Sequence, residues 1–382
     1  MMRKFAKYFI STFLLIIVVT LPCLLVNASE SGEIIPFDSD RWEITASQSK
    51  VEEYLGQPSL LLKGGLAVVK DSEFTDGIIE YDVALEKTRG FMGAVWRVQD
   101  LGNYEKFYMR SHQSGNPDAN QYTPIFNDVA GWQLYNGEGY SAQVEYDFDQ
   151  WIPVKIVVSG KNAEIYIQDM EQPVLFVNEL KRDIKSGQVG LFVEDYAPGH
   201  FANFRFTATN NPPLKLTPTL LEEAPEGTIR SWSVSNSFDE KTLDSKFILS
   251  QDDKQNLTWN KLVTENSGLA NLARVQGVEP DKNTAFARIT INSEQEQVKK
   301  LSFGFSDRIK VYLNDKLLYG GQDSFRSRDY RFLGTIGYYD ELYLPLQKGK
   351  NELWMAVSEN EKIRGGWGLQ ARLENTEGIS MD

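Results

Sequence analysis

"GIIEYDVALE", residues 77–86, decides the fold. Ile79, Tyr81, Val83 and Leu85 alternate with Glu80, Asp82, Ala84 and Glu86, and a period of two places one set on a core and the other in water. The reading extends outward to "FMGAVWRV", "YEKFYMR", "IPVKIVV", "AEIYIQD" and "QVGLFV". All are short, rich in β-branched and aromatic residues, and separated by Gly, Asp, Asn and Pro. No long stretch carries helical spacing, so regular strands with turns between them predict a β-sandwich.

A break comes at "TNNPPLKLTPTLLEEAPEG", residues 209–227, whose four prolines and paired asparagines cannot supply a central strand and read as a semi-rigid linker. Beyond it, "AFARITI", "KKLSFGF", "RIKVYLND", "LYLPL", "NELWMAVS" and "GWGLQARLE" form a second β-rich region. At the other end, Arg3, Lys4 and Lys7 precede an apolar run from Phe9 to about Leu25, and Val26-Asn27-Ala28 offers small residues for cleavage. That pattern predicts a secretory signal rather than a membrane anchor, because Pro22 and the cleavable end disfavour a spanning helix. The expected fold class is all-β: two tandem antiparallel β-sandwich (jelly-roll) domains after a signal peptide. The boundaries are 1–28 signal, 29–208 first sandwich, 209–227 linker and 228–382 second sandwich.

Composition narrows function by exclusion. Cys23 is the single cysteine, so cleavage leaves no thiol, no disulfide framework and no cysteine-ligated zinc. Pro22 stands where a lipoprotein signal would have a small residue, which disfavours lipid attachment. The formal charge is −13, and removing Arg3, Lys4 and Lys7 takes it to −13 − 3 = −16, since no acid precedes Glu30. An acidic surface repels phosphate backbones and anionic lipid. Neither nucleic acid nor membrane insertion after signal cleavage is expected. Export without disulfides points to a secreted, extracellular or bacterial periplasmic or envelope location.

The densest cluster of polar and aromatic side chains runs from residue 97 to 133. In "NYEKFYMR", Glu105, Phe107 and Met109 fall on one side of a strand, and Tyr104, Lys106, Tyr108 and Arg110 on the other. With Phe107 and Met109 in the core, Tyr104, Tyr108 and Arg110 face outward, and His112 follows as the strand enters the turn "QSGNPD". Asn103 opens this strand, Arg97 lies opposite in phase to Trp96, and Gln121, Tyr122, Trp132 and Gln133 follow. The candidate ligand-binding set is therefore Arg97, Asn103, Tyr104, Tyr108, Arg110, His112, Gln121, Tyr122, Trp132 and Gln133. Such an inventory suits a sugar, whose hydroxyls take planar donors and acceptors and whose C–H faces pack on aromatic rings. The competing reading is a network that ties the loop down, with Arg110 bonding carbonyls and His112 capping the turn.

The segments "FTDGIIEYDVAL", "FMGAVWRVQDLGNYEKFYMRSHQSGNPDANQYTP", "WIPVKIVVSGKNAEIYI" and "SGQVGLFVEDYAPGHFANFRF" resemble the concanavalin A-like lectin/glucanase superfamily. The narrower likeness is to laminin-G-like modules and 3-keto-disaccharide hydrolase domains. "RIKVYLNDKLLYGG", "LQKGKNELWMAVSE" and "GGWGLQARLE" resemble the galactose-binding-like jelly rolls attached to glycoside hydrolases. The resemblance implies a carbohydrate partner, an oligo- or polysaccharide, held on the lectin-like sandwich. It also leaves a glycoside hydrolase or lyase as an alternative, with Glu80, Asp82, Asp100 or His112 as acid/base groups, and an envelope adhesion or scaffolding role as a further one. Laminarinase-type relatives carry Glu-x-Asp-x-Glu on one strand, but here Ala84 takes the third position. Glu80 and Glu86, six positions apart, would lie about 20 Å apart along a strand, against the roughly 5–9.5 Å a carboxylate pair requires. No cofactor motif is evident, and structural calcium is an expectation from the resemblance alone.

Overall fold

Alternation becomes strands over the whole of the first region, beginning with a long hairpin of β1 (Trp42–Tyr54) and β2 (Gln57–Val69). There follow β3 (Gly77–Ala84), β4 (Phe91–Asp100), β5 (Asn103–Arg110), β6 (Asn120–Phe126), β7 (Val129–Ala130), β8 (Ser141–Ala142), β9 (Trp151–Ser159), β10 (Asn162–Ile167), β11 (Leu175–Val177), β12 (Gln188–Val193) and β13 (Gly199–Ala208). This is a computed structural model that describes residues 32–382 except Glu222 and Glu361. The expected signal segment 1–28 lies outside the described residues.

The strands form one antiparallel sheet in the order β11-β10-β9-β3-β13-β2-β12-β4-β5-β6-β7. It doubles over at β2, where residues 60–62 pair with β13 and residues 65–68 with β12. Between them Gly64 and Gly65 take φ of 63° and 155°, left-handed backbone that glycine adopts without a Cβ clash. A β-carbon at position 65 would lie 2.7 Å from the Ala46 Cα. The bend lets Ile79, Tyr81 and Val83 of β3 share a core with Trp96, Phe107 and Met109 from β4 and β5. Each such side chain, fully buried, contributes roughly 1.5–3 kcal/mol.

The second region has β14 (Ser231–Ser235), β15 (Trp259–Val263), β16 (Ala270–Asn271), β17 (Thr284–Ser293), β18 (Gln297–Ser306), β19 (Arg308–Leu313), β20 (Lys316–Gln322), β21 (Asp340–Leu346), β22 (Gly349–Ser358), β23 (Gly368–Leu373) and β24 (Ile379–Met381). One sheet runs β15-β14-β17-β22-β19-β20 with β24 on β17, and the other β16-β23-β18-β21. Trp232, Ile289, Phe303, Leu353 and Trp367 pack between them. The all-β expectation holds: among the described residues the single α-helix is the four-residue Gln251–Lys254, and no helix is long and apolar enough to cross a membrane.

Residues 209–227 hold no strand among those described. They lie against the first sandwich, with the Leu216 amide donating to Glu164 at 2.6 Å and the Thr219 amide to Asn178 at 2.9 Å. The two sandwiches touch directly through the far edge of the first sheet. Val129 of β7 packs into the second core, Asn127 donates to the Ala273 carbonyl at 2.8 Å, and Arg364 pairs with Asp128 at 2.7 Å.

Candidate ligand-binding site

β5 has two faces of opposite character. Phe107 and Met109 enter the core, while Tyr104 and Tyr108 pack on the outward face with Val95 of β4, Phe192 of β12, Leu66 and Val68 of β2 and Ile125 of β6. Strand pairing places Tyr108 beside Gly93 and Gln121, and the surface spans the five adjacent strands β2, β12, β4, β5 and β6. Most of it is nearly closed: Tyr104, Tyr108 and Arg110 are only 5–6% exposed. Burial pushes both phenols above their ordinary range and pulls the Lys106 ammonium down, the nearby Glu194 opposing the latter shift.

The polar groups at the centre of this face are committed to one another. The Arg110 guanidinium donates to the Asp118 carbonyl at 2.7 Å and to the Tyr108 hydroxyl at 2.8 Å, and also to Gln121 Oε1. Tyr108 donates to the same amide oxygen at 3.0 Å, and Gln121 Nε2 donates to the carbonyls of Trp132 and Tyr135. The group holds the 111–119 loop and the 131–135 turn against the sheet. Arg110 thus tethers the loop through one backbone carbonyl, that of Asp118, and two side-chain oxygens.

One end of the face stays open. Phe91 is its hub, with ring centroids 6.0 Å from Tyr108, 5.0 Å from His112 and 5.4 Å from Tyr196. The Arg89 guanidinium stands 4.5 Å over the Tyr196 ring and 5.8 Å over Phe91. Tyr196 is 56% exposed, and Arg89 and His112 are exposed beside it. Further in, the Lys106 ammonium lies 4.0 Å over Phe192 and 3.8 Å from the Glu194 carboxylate. Partial burial, reinforced by Arg89 and Arg110, holds the His112 imidazole below its usual pKa. It is therefore neutral near pH 7 and able to accept as well as donate. Rings offered to solvent beside a guanidinium, an imidazole and a carboxylate are the groups that grip a polyhydroxylated ring.

The remaining sequence candidates are placed elsewhere. Arg97 sits at a bulge where the β4–β5 register shifts, with φ of 49°, and its side chain is buried against Thr75, Asp76 and Gly160 at 2.7–2.9 Å. The Asn103 side chain meets Asp100 at 3.0 Å and Arg182 at 3.2 Å. Tyr122 points into the core and donates to Glu105 at 2.6 Å. Trp132 packs edge-on against Phe325 of the second sandwich at 5.9 Å, and Gln133 donates to the Leu333 carbonyl at 3.0 Å. Of the ten candidates, Tyr104, Tyr108, Arg110 and Gln121 share the outward face, His112 stands at its open end, and the other five lie off it. Alternation alone separates Tyr122 from Gln121, since neighbours on a strand face opposite ways.

The acids of the hydrolase alternative each have a separate partner. Glu80 is held by Arg205 at 2.9 and 3.0 Å, Asp82 by Asn203 at 2.6 Å, and Asp100 caps its own turn by accepting from the Gly102 amide at 2.8 Å. No hydrogen bond joins any two of Glu80, Asp82, Asp100 and His112 among the described residues. His200 stacks on Tyr54 at 3.7 Å, and Arg328 is clamped by Asp323 and Asp340, each at 2.6 Å. Among the described residues no three His, Cys, Asp or Glu side chains gather as a metal site would require.

No protein-family model matches this chain, and no curated protein matches it. Solved structures do. It is similar to the carbohydrate-binding module CBM66 from Bacillus subtilis at 17% identity, over 44% of this chain and 96% of that one, with a TM-score of 0.34. A protein of unknown function with a galectin-like fold, also from Bacillus subtilis, is 11% identical over 48% of this chain and 99% of that one, at 0.35. A xylan β-1,4-xylosidase from Bacillus halodurans is 15% identical over 45% of this chain and 37% of that one, at 0.33. At TM-scores of this size the likenesses say nothing about the role of any side chain here.

Proposed function

We propose that this protein is an exported carbohydrate-binding protein that holds a glycan at the open end of the outward face of its first sandwich. The observation that carries the reading is the cluster of exposed Tyr196 and His112 around the half-buried Phe91, with Arg89 laid across the Tyr196 and Phe91 rings. Exposed aromatic surface beside forked donors needs a partner, and a sugar supplies C–H faces for the rings and hydroxyls for Arg89, His112 and Glu194. The Tyr108–Arg110–Gln121 tether fixes the floor and leaves few of its polar atoms free, so contact falls on the rim. Binding to plant and microbial polysaccharides, followed by affinity electrophoresis, tests this. Tyr196→Ala and Arg89→Ala each weaken retention about tenfold, as loss of a central anchor does, with an unchanged near-UV spectrum. Absence of retention on every polysaccharide, or variants that bind as the parent does, overturns the reading.

A further inference from the structure

A second cleft, separate from the open end of the face, runs between the two sandwiches. Its volume is about 320 Å³, at the lower end of the roughly 300–1,000 Å³ typical of ligand pockets and enough for a single sugar ring. Six of its twelve lining residues are Arg or Lys and one, Asp183, is an acid, in a chain whose formal charge is −13. Composition alone would have filled it the other way.

Some of these cations are already used. Lys181 is paired with Glu179 and Glu265 at 2.5 and 2.7 Å, and Arg182 donates to the Ile125 carbonyl and to Asn103. Others are not. Lys185 and Lys261 are exposed and have no ion-pair partner among the described residues, and Arg274 reaches only the Val263 carbonyl, at 3.5 Å. Beside them lies Arg97, 1% exposed and paired through Nη2 with Asp76 at 2.9 Å, whose Nη1 has no hydrogen-bond partner and stands 3.9 Å from Glu105. A buried guanidinium nitrogen without an acceptor costs stability unless something in the cleft accepts from it. Between the cations, Phe126 and the 57% exposed Val263 offer apolar surface.

We propose that this cleft binds an acidic sugar unit bearing a carboxylate or a sulfate ester. Arg97 Nη1, Lys185, Lys261 and Arg274 receive the oxyanion, and the ring rests on Phe126 and Val263. This rests on the cleft and stands independently of the open end of the outward face. Because the first sandwich supplies Arg97 and Lys185 and the second Lys261 and Arg274, occupancy also stabilises the junction.

The test uses the whole mature protein and isothermal titration with four probes: a short oligogalacturonate, a neutral oligosaccharide of equal length, a sulfated oligosaccharide and inorganic phosphate. The expected result is uptake of one or both acidic sugars, weakened about tenfold by Lys261→Glu or Arg274→Glu and strongly by added salt, but unchanged by Tyr196→Ala. Which acidic probe binds decides between carboxylate and sulfate. Phosphate binding alone, equal binding of neutral and acidic sugars, insensitivity to both charge reversals, or absence of any binding overturns the proposal.

Discussion

Two regions of the first sandwich, the 131–135 turn and the open end of the outward face, carry similar side chains and have met opposite fates. In the turn Trp132, Gln133 and Tyr135 are pressed against the second sandwich: the Gln133 backbone amide donates to the Gly365 carbonyl at 2.8 Å and its side chain to the Leu333 carbonyl at 3.0 Å. At the open end Arg89, His112 and Tyr196 stand exposed around the half-buried Phe91. Aromatic rings and hydrogen-bonding side chains are present at both. Residue type therefore does not mark the site; what the topology lays over it does.

The sealed turn is the place to expect the largest effect. Position 365 is closed in by Gln133, and a β-carbon there would lie 2.6 Å from the Trp132 ring. Gly365→Ala must displace an indole that is packed on Phe325. Overpacking of this kind costs about 3 kcal/mol, read as a lower midpoint in urea unfolding. Binding at the open end, measured under native conditions, is unchanged. If instead the variant keeps its stability, the 131–135 turn is not a rigid seal and the contrast between the two regions weakens.

A smaller effect is expected from the acid pair beneath the seal. Asp307 and Glu359 are buried next to Gln133, and burial raises both carboxyls above their ordinary values of 3.8 and 4.5. The neighbouring Asp307 charge further raises Glu359. The sign follows from linkage: a carboxyl whose folded pKa is raised binds its proton more tightly when folded, so its stabilisation is complete below the unfolded value and is lost as pH rises through the folded one. Stability therefore falls as pH rises above about 4.5. Asp307→Asn removes one of the two charges, and its unfolding free energy should fall less between pH 5 and 8, by about 1 kcal/mol. Parallel pH profiles for parent and variant would mean that this pair does not govern the junction.

Much of the fold was legible in the sequence, because strand alternation is local. The Ile79-Tyr81-Val83 stripe and the inward Phe107 and Met109 follow from a period of two and nothing else. The site was less legible, for two physical reasons. Arg97 breaks the phase: a bulge with left-handed backbone turns its side chain inward, and no neighbour in the sequence announces it. The open end, in turn, is assembled from residues 89–91, 112 and 194–196, which only the pairing of β12 with β4 and of β4 with β5 brings together. Tyr108, Arg110 and Gln121 looked like ligand groups because sequence does not show that their polar atoms are already partnered by one another and by the carbonyls of Asp118, Trp132 and Tyr135.

The open end predicts the smallest effect and the one that most directly separates it from the sealed turn. His112 is solvent-exposed and sits between Arg89 and Arg110, with its pKa held below 6.5 by partial burial and those two cations. Neutral at pH 7, the imidazole can accept a hydrogen bond from a sugar hydroxyl. Once protonated it can only donate, and it adds a third positive charge to the rim. Glycan affinity should thus be flat above pH 6.5 and decline as pH falls through the lowered value, by about twofold, a few tenths of a kcal/mol. His112→Gln keeps an acceptor without a titration, so the decline disappears while binding at pH 7 is retained. Persistence of the same decline in His112→Gln would mean that the imidazole is not the acceptor and would remove His112 from the polar centre of the site.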